Sequence, residues 1–253
     1  MGKKIKKMKA MILAAGRGRR LSPLTDKLPK PMIDINGKPI IYYQLKLLKK
    51  YNIKEVVINL NYMPWKIKNY LGSKKFGIRI RYSYEKKLLG TAGAVKKVEK
   101  IFDADFFVVY GDIITDMNLI KAYGFHKKNG GIATICLHNV PKDKASSSII
   151  ILNKKQQITK FIEKPKNRDL ASVKSGFKLV NSGIYILKNS ILRCIPKNSF
   201  SDFALDVFPM LLKRNEKLVG YFDEKCHWAE IGRIEKYNQI KRAIEDGKFK
   251  LNL

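Results

Sequence analysis

Three largely apolar runs decide what this chain can fold into: MKAMILAA at 8–15, KEVVINL at 54–60 and DFFVVYGD at 105–112. None alternates polar with apolar residues, so each reads as a strand buried on both faces. Helical patterns lie between them. GKPIIYYQLKLLKKYN at 37–52 reads as a helix, with Pro39 at its first position and Ile41, Leu45 and Leu48 on one face. PWKIKNYLG at 64–72 reads as a short helix stopped at Gly72, and TAGAVKKVEKIF at 91–102 as a helix with Thr91 as N-cap. GIRIRYSYE at 77–85 alternates as a half-buried strand does. Strand and helix in regular succession predict an α/β fold: a doubly wound, Rossmann-like, mostly parallel mixed sheet with helices on both faces. In such sheets ligands bind beyond the carboxyl ends of the strands.

The second half is richer in strands: GIATICLH at 131–138, SIIILN at 148–153, QITKFIE at 157–163 and KLVNSGIYILK at 178–188. They read as an extension of the same sheet. FALDVFPMLLKR at 203–214 and RIEKYNQIKRAIED at 233–246 read as closing helices, the latter with Tyr237, Ile240 and Ile244 on one face. KPKNRDLASVKSGFK at 164–178 reads as a loop. No linker or repeat interrupts the chain, so a single domain over 8–253 is expected after a basic tail at 1–7.

Lysine and arginine number 52 against 21 acidic residues, a formal net charge of +31. Such a balance calls for an anionic partner: nucleic acid, a membrane surface or phosphorylated small molecules. The lysines are spread over the whole chain, which argues against a nucleic-acid-binding face. No apolar run approaches the roughly 20 residues of a membrane span. The lysine-rich start followed by MKAMILAAG imitates a signal peptide, but RGRR follows at once, and the run reads as a first strand. Cys136, Cys194 and Cys226 are odd in number, far apart and without zinc spacing, so no disulfide framework is expected and the cytoplasm is the expected compartment.

The chemistry concentrates in LAAGRGRRLSPLTDKLPKP at 13–31. Gly16 and Gly18 permit a sharp turn whose backbone N–H groups could cradle phosphates. The third glycine of a dinucleotide fingerprint is missing, and no Gly-Lys-Ser/Thr follows. Arg20 and Lys30 share the loop, and Pro29 and Pro31 are expected to hold the backbone of Lys30 extended. A polyphosphate site needs cations placed in advance of the charge they meet.

This stretch resembles the signature of the sugar-1-phosphate nucleotidylyltransferases, Leu-Ala-Ala-Gly-x-Gly-Thr-Arg-Leu-x-Pro-Leu-Thr followed by Pro-Lys-Pro. The match runs from Leu13 to Leu24 and returns at Pro29, Lys30 and Pro31. Further stations of that family resemble LGTAGA at 89–94, YGD at 110–112, FIEKP at 161–165, VNSGIY at 180–185 and WAEIG at 228–232, in the same order. The resemblance implies that Leu13, Ala14, Ala15, Gly16, Gly18 and Gly90 bind a nucleoside triphosphate. It implies that Thr91, Glu163, Lys164 and Asn181 bind a sugar 1-phosphate. Arg20, Lys30 and Asp112 are implied as catalytic, with Mg²⁺ on Asp112 and Glu230. The implied reaction joins the two substrates into an NDP-sugar with release of pyrophosphate, without nucleic acid or membrane, and a homo-oligomer is allowed. GDIITDMNL at 111–119 and ALDVFPMLL at 204–212 look most like the mannose-1-phosphate guanylyltransferases. A dTTP- or UTP-dependent glucose-1-phosphate enzyme and a catalytically weakened regulatory homologue are the alternatives.

Three departures stand out. Glu230 occupies a position that is usually aspartate. Ser147 and Ser148 replace a Tyr-Gly pair near the sugar, so the Ser148 side chain is expected to narrow or repolarise that pocket. Arg19 replaces a threonine or serine, and reads equally as a phosphate contact or a surface charge. His126, His138 and His227 have no partner pattern and read as structural or exposed, and Trp228 reads as core.

Overall fold

The computed structural model describes residues 8–142, 148–166, 169–170, 173 and 176–253. The basic tail, Ser147 and parts of the 164–178 loop lie outside the described residues. The first half runs β1 (Lys9–Leu13), β2 (Asp34–Ile35), β3 (Lys38–Pro39), α1 (Ile40–Lys50), β4 (Glu55–Leu60), α2 (Pro64–Leu71), β5 (Lys74–Lys75), β6 (Ile78–Tyr84), α3 (Gly90–Lys97), β7 (Phe106–Tyr110), β8 (Ile113–Thr115) and α4 (Leu119–Asn129). The second half runs β9 (Ala133–Pro141), β10 (Ser148–Leu152), β11 (Ile158–Glu163), β12 (Phe177–Leu187), α5 (Phe208–Lys213), β13 (Leu218–Phe222), β14 (Trp228–Glu230) and α6 (Ile234–Glu245).

One ten-stranded mixed sheet carries the molecule, in the order β11-β10-β12-β7-β1-β4-β6-β5, with β9 paired to β12 and β13. Its centre, β7-β1-β4-β6, is parallel. Antiparallel β12 joins the far side of β7 and brings in the strands of the second half. Each residue of β1 alternates between two cores. Ala10 and Ile12 pack on the side of α1, α2 and α4, while Met11 packs on the side of α3 and α5. A strand apolar at every position is what burial on both faces requires. A third, smaller core of Leu21, Ile33, Ile35, Ile40, Ile114 and Ile231 is covered by Tyr237, Ile240 and Ile244 of α6.

Several local expectations change. α1 begins at Ile40 and Pro39 is its N-cap, so the proline precedes the helix. α3 begins at Gly90 with Leu89 as N-cap, and Thr91 lies inside the helix. The 91–102 pattern breaks at Val98 into a 3₁₀ turn over Glu99–Ile101. The 203–214 pattern opens as a π-turn over Phe203–Val207, capped by Asp202, before α5. α4 and β13 have no counterpart among the patterns read from sequence. No helix among the described residues is long and apolar enough to cross a membrane.

Candidate active site

β1 is flanked by β4 on one side and β7 on the other, both parallel to it. The chain leaves β1 for β4 and β6, then returns to the opposite side as β7. At that reversal the connections part, and a crevice opens beyond the carboxyl ends of the strands. The loop 14–31 leaves β1 here, and Gly111 and Asp112 leave β7 beside it. The two exits are tied together, since Gly111 N–H donates to the Leu13 carbonyl at 2.8 Å. Buried Gln44 of α1 clamps the Asp112 turn by donating to the carbonyls of Tyr110 at 2.7 Å and Ile113 at 3.2 Å.

A cavity of about 450 Å³ occupies the crevice. Leu13, Ala14, Ala15, Gly16, Gly18, Arg20, Lys30, Gly90, Thr91 and Asp112 all line it. Asn59 Oδ1 accepts the Ala14 N–H at 2.7 Å, which removes that donor from any ligand. The N–H groups of Ala15, Gly16, Arg17 and Gly18 donate to no protein acceptor among the described residues. Four successive free donors at the mouth of a cavity form an anion cradle. Gly18 is left-handed at φ 72°, and a Cβ there would sit 3.0 Å from the Cβ of Lys30. Gly16 has no left-handed backbone, so the expected sharp turn rests on Gly18 alone.

Lys30 opens a 3₁₀ turn over Lys30–Met32, with extended Pro29 as its cap. The expected extended backbone at Lys30 is therefore confined to Pro29, because Met32 N–H closes the turn on the Pro29 carbonyl at 2.8 Å. The turn delivers the Lys30 ammonium to Asp112 Oδ2, where it donates a hydrogen bond within an ion pair. β14 pairs with β8 and sets Glu230 opposite Ile113, one residue from Asp112. Burial, then the neighbouring charge of Asp112, push the Glu230 carboxyl above the usual range, and Lys30 and Arg20 oppose the rise. A Cβ on Gly232 would lie 2.6 Å from Glu230 Oε1 and 3.8 Å from Arg20 Nη2, so that glycine makes room for the longer acid. Among the described residues no group of three or more His, Cys, Asp and Glu could hold a metal. Two facing carboxylates fit a hard divalent ion that completes its shell with phosphate oxygens and water.

Glu163, Lys164 and Asn181 do not line this cavity. They lie next to it at the ends of β11 and within β12. Burial, then the charge of Asp202, push Glu163 up to about 7, with Lys164 lowering it and Glu230 raising it. Glu163 Oε2 is buried without a hydrogen-bond partner among the described residues. Asn181 Nδ2 donates to the Tyr185 hydroxyl at 2.7 Å, which donates to the Tyr110 hydroxyl at 3.0 Å, and Tyr110 lines the cavity. Ser148 is fully buried and its Oγ accepts the Asn181 N–H at 2.9 Å. That bond satisfies a backbone donor at an irregularity of β12. Trp228 stacks on His138 at 4.8 Å and donates to the Ser182 carbonyl at 2.8 Å, away from the cavity.

Asn59, Glu85 and Asp202 also line the cavity, and the motifs did not single them out. Glu85 is buried; its Oε1 accepts from Asn59 Nδ2 at 2.7 Å and its Oε2 from the Leu89 N–H at 2.9 Å. Asp202 accepts the Thr91 hydroxyl at 3.0 Å and caps the π-turn through Ala204 and Leu205 N–H. Asn59 carried a usable signal, being the one polar residue inside the VVINL run. Glu85 and Asp202 lie in polar segments where nothing local marks them.

Fold and crevice together define an α/β protein with a cavity lined by free backbone donors and cations at a topological switch point. The chain belongs to the Nucleotidyl transferase family, whose model matches residues 9–247. It is 33% identical over 257 residues to a UTP–glucose-1-phosphate uridylyltransferase of Synechocystis sp., covering 96% of this chain and 65% of that protein. It is 35% identical over 237 residues to a mannose-1-phosphate guanyltransferase of Yarrowia lipolytica, covering 91% of this chain and 62% of that one. The chain thus spans less than two thirds of the length of these curated relatives. The crystal structure of HddC from Yersinia pseudotuberculosis superposes with a TM-score of 0.78 at 26% identity, covering 94% of this chain and 99% of that one. A second crystal structure of HddC, complexed with GMP-PN, superposes equally well at 25% identity.

Proposed function

We propose that this chain transfers a nucleotidyl group from a nucleoside triphosphate to a sugar 1-phosphate, in the cytoplasm, giving an NDP-sugar and pyrophosphate. The observation that carries this reading is one cavity lined by free backbone donors, Lys30, Arg20 and Asp112, with Glu230 set beside Asp112 by the pairing of β14 with β8. A phosphate oxygen of the sugar 1-phosphate attacks the α-phosphorus. The bond from that phosphorus to the bridging β-oxygen breaks, and pyrophosphate leaves with the electron pair. No protein nucleophile is needed. The N–H groups of Ala15 to Gly18 cradle the triphosphate, and Arg20 and Lys30 meet the charge that leaves. Lys164, beside the cavity, receives the sugar phosphate, with Glu163 and Asn181 toward the sugar. Asp112 and Glu230 would hold Mg²⁺, which when bound neutralises phosphate oxygens.

GTP with a mannose 1-phosphate-like sugar is the favoured pair, and Glu85 supports the base. A carboxylate only accepts hydrogen bonds. Guanine offers two adjacent donors, N1–H and the 2-amino group, whereas uracil and thymine offer one donor flanked by two carbonyls that a carboxylate repels. The Synechocystis relative, named for UTP and glucose 1-phosphate, keeps a second pair in view.

The test is pyrophosphate release with Mg²⁺ across a panel of triphosphates and sugar 1-phosphates. Release is expected to be fastest with GTP, and Asp112→Ala and Lys164→Ala are expected to lower it by on the order of 10²–10³. A folded protein that binds nucleotide but releases no pyrophosphate with any pair would make it a regulatory homologue.

A further inference from the structure

We propose that Arg19 is the cation that receives the pyrophosphate portion of the ligand, either as the β- and γ-phosphates of the triphosphate or as free pyrophosphate. The inference rests on the nucleotidyl-transfer reading and goes beyond the motif, since Arg19 stands where that motif carries a small hydroxyl. Three cations and three carboxylates line the cavity: Arg19, Arg20 and Lys30 against Glu85, Asp112 and Asp202. An anionic ligand therefore meets no net positive charge from the lining as a whole, and the pairing of each cation decides which one attracts it.

Lys30 is bound to Asp112. Arg20 forms no ion pair among the described residues, but its charge acts on Glu230, whose carboxyl it helps to hold down. The neighbouring Arg17 lies over the Tyr62 ring, 5.1 Å from its centroid, and does not line the cavity. The Arg19 side chain takes part in no ion pair, hydrogen bond or ring contact among the described residues. It opens the 3₁₀ turn Arg19–Leu21 directly after left-handed Gly18, next in the chain to the four free N–H groups. An anion on that cradle is thus beside a lining cation that has no ion-pair or hydrogen-bond partner among the described residues. A planar guanidinium with several donors suits two bridged phosphates.

The experiment measures binding of pyrophosphate, GTP and GMP, each with Mg²⁺, by calorimetry on wild type, Arg19→Thr, Arg19→Lys and Lys27→Thr. Arg19→Thr is expected to weaken pyrophosphate and GTP by about tenfold and to leave GMP unchanged, as fits one lost charge-assisted contact. Arg19→Lys is expected to fall between, and Lys27→Thr, the same loss of charge at an exposed position of the same loop that does not line the cavity, to bind as wild type. The deficit of Arg19→Thr is expected to shrink in high salt, where an exposed charge is screened. Loss for pyrophosphate but not GTP would restrict the site to the free product, and loss for both assigns it to the triphosphate as well. Unchanged pyrophosphate and GTP binding in Arg19→Thr, or an equal loss for GMP, overturns the proposal while leaving nucleotidyl transfer standing. A wild-type protein that binds neither pyrophosphate nor GTP overturns both.

Discussion

Glu85 is held as an acceptor from two sides. Asn59 donates to one oxygen and the Leu89 N–H to the other, while Asn59 cannot turn over because its own oxygen holds Ala14. An amide at 85 would set its NH₂ against one of these donors. Glu85→Gln is therefore expected to weaken triphosphate binding in general and to cut the preference for GTP over UTP by roughly 10–100-fold, read as the ratio of kcat/KM values. An unchanged ratio would mean that Glu85 organises the turn without reading the base. Glu230 poses the converse question, because its extra methylene is accommodated by Gly232. Glu230→Asp restores the commoner acid and is expected to retain or raise turnover in the pyrophosphate assay, since the backbone of β14 remains paired to β8. An inactive but folded Glu230→Asp would show that this pocket is built around the longer side chain. Among individual residues, those inside the signature were legible. Glu85 and Asp202 were not, because each matters through partners at positions 59 and 91 that no local pattern connects to it.

Elements were read best where their periodicity was forced by burial. β1, β4 and β7 are apolar over most of their length because both faces of each are covered, and Ile41, Leu45 and Leu48 of α1 turn to one core. α4 escaped because its apolar positions are interrupted by Gly124 and charged residues. It is fixed by Asn118 as N-cap and by the burial of Leu119, Ala122 and His126. His126 gives this helix a pH dependence. Its Nδ1 shares a 2.7 Å hydrogen bond with Thr134, Asp105 stands 3.7 Å from its Nε2, and burial pushes its pKa down to about 4 from 6.5. The folded value lies below the unfolded one. The ring's contribution is therefore fully present above about pH 6.5 and is lost as pH falls toward about 4, on the order of 3 kcal/mol. Glu163, raised to about 7, works in the opposite sense: its contribution is present below about pH 4.5 and is lost as pH rises through about 7. His126→Gln is thus expected to lose less stability than wild type between about pH 6.5 and pH 4.5, measured as the change in urea midpoint. Parallel losses in the two proteins would mean that His126 is not held neutral.

At the scale of the whole molecule, the alternation of buried strands and amphipathic helices led to the sheet, its helices on both faces and the end of the sheet that carries the site. The signature loop led to nearly half of the cavity wall. Those features are local: covering both faces dictates an apolar strand, and a run of free N–H groups needs only a few consecutive residues. The pairing of Lys30 with Asp112, the confrontation of Asp112 with Glu230, the bond from the Asn181 N–H to Ser148 and the isolation of Arg19 belong to the tertiary structure alone. Each depends on which segments, separated by tens to more than a hundred residues, meet at the reversal around β1. Charge and hydrogen-bond satisfaction are settled there by distance in space, so a sequence that names the right cations cannot say which of them remain free for a ligand.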